Sequence, residues 1–195
     1  MKKILVFVFT ISLMMGVLGR AEATLLDFEG LTASSAEDLT QNNQGYGGFN
    51  WDFGWFLYSD QSYPNPAHSP HYGIVNNYGA DPLGLSSASP FDFDGVWVSG
   101  WYFNSPQQIK AQGLDVFDNV IFETDFFPLL VSENQFLSAN FQGVSRVNFL
   151  GGQYFTLDDF AFNGGNDNPA APEPATVLLL GTGLMGVLFR GRRLS

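Results

Sequence analysis

Gln135-Phe-Leu-Ser-Ala-Asn-Phe141, Val144-Ser-Arg-Val-Asn-Phe-Leu150 and Tyr154-Phe-Thr-Leu-Asp-Asp-Phe-Ala-Phe162 decide the fold class. Apolar, β-favouring side chains recur there at about every second position. A period of two sends successive side chains to opposite faces of a strand, whereas a helix needs a period near 3.6. Further strand-like runs precede them: Leu25 to Phe28, Phe49 to Phe53, Trp55 to Tyr58, Gly73 to Asn76, Val96 to Phe103, Gln108 to Phe117 and Asn119 to Asp125. Asp118-Asn119 and Gln142-Gly143 read as tight hairpin turns between neighbouring runs. Short strands punctuated by Gly, Pro and Asn predict an all-β domain, a β-sandwich of jelly-roll type.

Two stretches break the pattern. Ser34-Ser35-Ala36-Glu37 has the spacing of a capping box and predicts a helical turn or two through Gln41. Ser59 to Pro90 holds five prolines and both histidines, His68 and His71, and reads as a long loop with one inserted strand. Two histidines with Pro70 between them, in a chain without cysteine, are too few ligands for zinc.

The chain ends are different in kind. Lys2-Lys3, an apolar run from Ile4 to Leu18 and the small-x-small triplet Ala21-Glu22-Ala23 have the layout of a secretory signal peptide over residues 1–23, with the mature chain starting at Thr24. At the other end Pro172-Glu173-Pro174 precedes fifteen uncharged residues, Ala175 to Phe189, and then Arg190, Arg192 and Arg193. As a helix that run spans roughly 22 Å, somewhat short of the ~30 Å hydrocarbon core. The arginines place its end on the cytoplasmic side and the domain outside. Residues 24–162 are thus expected to form the sandwich, 163–171 a linker, and 172–195 a sorting segment with a single transmembrane helix at about 175–189.

Composition narrows the function. Between Thr24 and Ala171 seventeen acidic residues face only Lys110 and Arg146, a net charge of −15. Such a surface lacks the basic footprint that nucleic acid or anionic lipid requires, so no nucleic-acid partner is expected. With no cysteine in the chain, the exported domain must be held by packing, or by packing and a bound ion.

The tail, with its tripeptide, apolar span and basic stop in that order at the C-terminus, resembles the PEP-CTERM sorting signal of exopolysaccharide-producing Gram-negative bacteria. The resemblance implies an exported protein that signal peptidase and the export machinery handle first. A transient inner-membrane anchor follows, then processing at Pro172-Glu173-Pro174 by exosortase, and a final place at the cell surface or in the extracellular matrix. More loosely, Leu26-Asp-Phe-Glu-Gly30 and Phe155-Thr-Leu-Asp-Asp-Phe160 resemble the terminal strands of carbohydrate-binding jelly rolls, which lie side by side. That likeness implies a structural calcium near the strand pair.

Candidate sites follow. Asp27, Glu29, Asp158 and Asp159 would converge if the terminal strands pair, and calcium takes six to eight oxygens; solvated carboxylates are the alternative. Among Trp51, Trp55, Tyr58, Trp97, Trp101 and Tyr102, the best candidates to stack on sugar rings are Trp51 and Trp55, flanked by Asp52 and Gly54. Asp92 or Asp94 with Glu123 could form an acid/base pair if they lay about 5–10 Å apart across a cleft. No nucleophile motif or nucleotide loop occurs. The expected function is that of a non-catalytic module that binds or organises extracellular polysaccharide; the alternatives are a polysaccharide-modifying enzyme and a purely structural matrix protein.

Overall fold

The computed structural model describes residues 23–31, 37–40, 45–64, 67–102, 107–131, 133–151 and 153–164. The expected leader before Ala23, the expected linker beyond Gly164 and the sorting segment with its expected transmembrane helix lie outside these. Among the described residues eleven strands form: β1 (Thr24–Leu26), β2 (Glu37–Asp38), β3 (Asn50–Trp51), β4 (Trp55–Ser59), β5 (Tyr72–Asn76), β6 (Leu83–Gly100), β7 (Gln107–Leu114), β8 (Val120–Glu123), β9 (Phe127–Leu129), β10 (Gln135–Leu150) and β11 (Phe155–Gly164). The fold is an all-β sandwich. Its hydrogen-bonded order is β2-β4-β5-β11-β6-β10-β7-β8, with β1 on β11, β3 on β6 and β9 on β7.

β6 and β10 run as neighbours along nearly their whole length and build the frame. The N-terminal half of β6 lies between β3 and the C-terminal half of β10, while its C-terminal half lies between β11 and the N-terminal half of β10. Register shifts near Phe141 and Val144 bend the pair, as β-bulges do. The sheet therefore closes over one main core, with a smaller separate cluster of Tyr58, Val75 and Trp101. Phe49 sits at the centre of the main core, with ring centroids 4.9 Å from Phe91, 4.8 Å from Phe162 and 5.6 Å from Phe160.

Several expectations need correcting. Gln142-Gly143 does not turn the chain back; it lies inside β10, and Gly143, at φ 64°, is a bulge. The same left-handed conformation serves a hairpin or a bulge, so the dipeptide alone does not separate them. The long loop is shorter than its prolines suggest, because Leu83 to Pro90 is the first half of β6. Pro90 is tolerated there because the register on either side assigns it no partner, so no N–H is required of it. The expected helical turn starts later than the capping box suggests: Glu37–Asp38 pairs with Leu57 and Phe56 of β4, and Leu39 and Thr40 are helical; Ser34 to Ala36 and Gln41 are outside the described residues. Asn163 and Gly164 extend β11 rather than opening the linker. The Asp118-Asn119 hairpin does form, as a longer turn. Asp115 Oδ1 accepts from the N–H of Phe117 (2.8 Å) and of Asn119 (2.9 Å), which ends β7 at Leu114.

Candidate functional site

The terminal strands pair as expected: Thr24 lies opposite Phe162, and Leu26 opposite Phe160. β11 then departs from regular alternation. Asp159 takes φ 47°, and the β6–β11 register slips between Asp158 and Ala161. In an unbroken strand, neighbouring carboxylates would face opposite sides. Here the slip lets Asp158 and Asp159 both reach the segment that leads into β5.

Ser69 is the hub of that contact. Its Oγ lies near five oxygens: Asp27 O (2.9 Å), Glu29 Oε1 (3.1 Å), Tyr72 O (3.3 Å), Asp158 Oδ1 (3.1 Å) and Asp158 Oδ2 (2.9 Å). One hydroxyl proton can serve only one of them. The N–H groups of His71 and Tyr72 donate to Glu29 Oε1, and that of Ser69 to Asp158 Oδ2. Asp158 is 2 % exposed. Burial, with Asp159 beside it, raises its carboxyl to about 7 against the bonds from Ser69. Burial first, then the charges of Asp27, Glu29 and Asp158, also raise the Tyr46 phenol.

These oxygens fit a hard cation in part only as the sequence suggests. Glu29 and Asp158 converge; Asp27 contributes its main-chain carbonyl, because its carboxylate accepts from the N–H of Glu29 (3.1 Å). Asp159 turns away to His68, whose Nδ1–H donates to Asp159 Oδ2 at 2.5 Å. Among the described residues no three Asp, Glu or His side chains form a metal-binding group. A calcium here would be held by two carboxylates, two main-chain carbonyls and the Ser69 hydroxyl, a donor set suited to it.

Trp51 and Trp55 are not ligand platforms. They are 5 % and 0 % exposed, cross each other edge to face, and donate their indole N–H to Tyr46 O and Gly84 O, both at 2.9 Å. Their rings fill the core because flanking Asp52 and Gly54 form the short β3–β4 turn, leaving both tryptophans on the inner face. Asp52 also receives the Gly84 N–H and the Arg146 guanidinium.

One partly accessible aromatic row lies elsewhere, while the most exposed rings, Phe53, Tyr78 and Phe117, stand outside it. Trp97 on β6 lies between Asp158 of β11 and Phe136 of β10 in one cross-strand row. Trp97 is half-buried, and Phe136 is 40 % exposed with its ring 5.6 Å from the indole. The His68 ring stacks on Trp97 at 3.6 Å and 10°. Gly95 makes room for Phe136: a Cβ there would meet Leu137 O at 2.5 Å and the Phe136 ring at 2.6 Å. Further along the same side, Trp101 is buried against Tyr58, Tyr63 and half-exposed Tyr102. Sequence reasoning passed over this row because half-exposure at Trp97 depends on the neighbouring strands, which only the topology supplies.

The other carboxylates are dispersed. Asp92 accepts from the Gly143 N–H and Asp94 from Asn163 Nδ2, on the outer side of β6. Glu123 is on β8, bonded to Gln112 and to Lys110 at 2.9 Å, and both bonds lower its carboxyl. β6 and β8 are separated by β10 and β7.

Pro172, Glu173, Pro174, Arg190, Arg192 and Arg193 are outside the described residues, yet their pattern decides a point. Residues 170–193 match the PEP-CTERM protein-sorting motif. The chain thus carries a signal for export and surface sorting. No curated protein sequence matches it. Similar solved structures include the K2 cleaved adhesin domain of Lys-gingipain, with TM-score 0.46, 13 % identity, and coverage of 73 % of this chain and 99 % of that one. The CBM22-1 xylan-binding domain from Paenibacillus barcinonensis gives TM-score 0.43 and 12 % identity, covering 77 % and 100 %. A DUF4465 family protein from Bacteroides caccae gives 0.43 and 14 %, covering 75 % and 95 %.

Proposed function

We propose that the exported chain is a non-catalytic module, processed at Pro172-Glu173-Pro174 by exosortase, that binds extracellular polysaccharide on the side of the sheet bearing Trp97 and Phe136. The observation that carries this reading is the row Asp158, Trp97, Phe136, where an exposed ring and a half-buried one stand on adjacent central strands. Aromatic faces pack against the C–H face of a sugar ring, and the rigid strands fix the rings at little entropic cost. A calcium in the Ser69 cluster would tie β1, β11 and the segment before β5 together beneath that row, in a structural role.

The enzyme alternative draws less support. Glu123 is engaged by Lys110 and Gln112, and three interstrand spacings separate β8 from the strand of Asp92 and Asp94, roughly 14 Å along the sheet.

The test is affinity electrophoresis of the exported chain through gels containing the producer's exopolysaccharide. Retardation that Trp97→Ala and Phe136→Ala each abolish, with unchanged melting, supports the glycan reading. An unretarded parent chain rejects it in favour of a structural matrix protein, and shortening of the polysaccharide rejects it in favour of the enzyme.

A further inference from the structure

The β7–β8 hairpin and the corner after it leave six large apolar side chains in water: Val116, Phe117, Val120, Ile121, Phe122 and Phe126. β8 is the terminal strand of the sheet, all four of its residues are exposed, and among the described residues only β7 pairs with it. An edge of this kind is a template for association unless it is short, charged or covered. The opposite edge is short, since β2 has only two residues. β8 has no such guard. Phe117, Phe126 and Phe122 are 80 %, 50 % and 37 % exposed; at roughly 200 Å² for each ring they leave about 300 Å² in water. The three aliphatic side chains bring the patch to roughly 500 Å², the size that marks an interaction site. Two such patches face to face would bury on the order of 1,000 Å², the lower limit for a specific interface.

Charge says which partner fits. Two copies carrying −15 each between Thr24 and Ala171 repel at an ordinary acidic face. Only Lys110 and Arg146 are basic in that span, and Lys110 sits at this edge, its Nζ 2.9 Å from Glu123 Oε2 and 5.0 Å from the centre of the Phe126 ring. Glu123 is the one charged residue of β8, so the strand itself carries no net charge. Phe122 is held ready for contact: its ring stacks on Phe141 at 5.4 Å and 12°, above Gly113, where a Cβ would meet Phe141 at 2.8 Å. A ring already fixed loses little freedom on binding.

We propose that this edge is where two copies of the chain meet, hairpin to hairpin across a two-fold axis. Such a contact uses the same patch twice and closes the pair. The register with β7 slips between Gly113 and Leu114, opposite Ile121. A bulge there twists the edge, so side chains rather than a continued ladder carry the contact and no filament grows from it. Trp97 and Phe136 lie apart from it, on β6 and the N-terminal half of β10, and a pair therefore presents two of those rows. The pairing does not depend on the glycan-binding reading.

The chain has no cysteine, so a single introduced thiol reports the contact. The test uses the full exported chain in mild detergent at micromolar concentration, carrying Val120→Cys. Phe53→Cys, on the exposed β3–β4 turn, is the control for random collision and for association through the tail. A short bis-maleimide is added and the covalent dimer is read on a denaturing gel. Pairing raises the local thiol concentration toward millimolar, so Val120→Cys is expected to cross-link at least about tenfold faster than Phe53→Cys. Phe117→Asp or Ile121→Asp, each added to Val120→Cys, should remove the excess with melting unchanged. Asp118 and Asp125 flank the patch, and the excess should grow from about 0.01 M to about 0.15 M salt as the Debye length falls from about 30 Å to about 8 Å. Equal rates for the two thiols overturn the proposal. An excess that survives both aspartate substitutions overturns it too, as does one that salt diminishes, since opposite charges would then be holding the copies.

Discussion

The imidazole of His68 lies face to face with the indole of Trp97, 3.6 Å apart and inclined by 10°, while its Nδ1 is held 2.5 Å from Asp159 Oδ2. The pair joins a residue of the proline-rich segment to the centre of the sheet. His68 fixes the rotamer of Trp97 and occupies part of its surface, so the two should not respond alike to truncation.

Trp97→Ala is expected to weaken retention by exopolysaccharide at least about tenfold, near 1.4 kcal/mol. His68→Ala should weaken it less, because it releases the indole without removing it. Affinity electrophoresis across a polysaccharide series compares the two; a larger loss for His68→Ala would transfer the binding role to the histidine.

Trp55→Ala should act through the core. The ring is fully buried between Trp51, Phe149 and Phe155, and its loss is expected to cost about 3–5 kcal/mol. Urea unfolding followed by tryptophan fluorescence measures this. Trp55→Phe should recover much of the loss while leaving the Gly84 carbonyl without its indole donor.

Millimolar calcium is expected to raise the melting midpoint by several degrees, since a ligand bound only by the native state stabilises it by about 2.7 kcal/mol at a hundred times its Kd. Glu29→Gln should abolish the response. Asp27→Asn should retain it, because Asp27 offers its main-chain carbonyl to the cluster and its side chain only to the Glu29 N–H. An unchanged midpoint in the parent chain would remove the cation from the Ser69 cluster.

With chelator present, Asp158 gives stability a defined slope. Its carboxyl is raised to about 7 by burial, against about 3.9 in an unfolded chain. Between those values the native state keeps a proton that the unfolded state has lost, so this contribution is full below about pH 4 and is lost as pH rises through about 7. Urea midpoints at pH 4.5 and 7.5 should therefore fall more steeply in the parent chain than in Asp158→Asn. A slope that is unchanged by the substitution would refute this account of Asp158.

Gly143→Ala should destabilise by about 1–2 kcal/mol, the cost of a left-handed conformation for a residue with a Cβ, since Gly143 has open space but φ 64°. Gly95→Ala should cost more, because there the new methyl strikes the Leu137 carbonyl and the Phe136 ring. Chemical denaturation of both variants compares conformational strain with steric conflict.

Period-two patterning made the strand content legible, and it located β4, β5, β8 and β11 to within a residue or two. Patterning was weakest where strands are long and bulged. β10 reads in sequence as two strands and a turn, and the first half of β6 reads as loop, because a bulge interrupts alternation much as a turn does. The convergence of Glu29 and Asp158 on Ser69 was legible because one follows β1 closely and the other lies on β11, strands the sequence expected to pair. The roles of Asp27 and Asp159 were not, since each depends on a local turn that redirects the carboxylate. Trp51 and Trp55 show the remaining limit: aspartate and glycine beside a tryptophan signal a bend, while which side of the bend faces inward is settled by strands far away in sequence.

The antiparallel pairing of β1 with β11 brings the chain's entry at Ala23 beside its exit at Gly164. The domain is therefore carried as a cassette on two adjacent leads, and could be spliced into a loop of another protein without prising that host apart. Pulling on leader and tail together would load this one pair of strands as a zipper, leaving the Trp97 row outside the line of force.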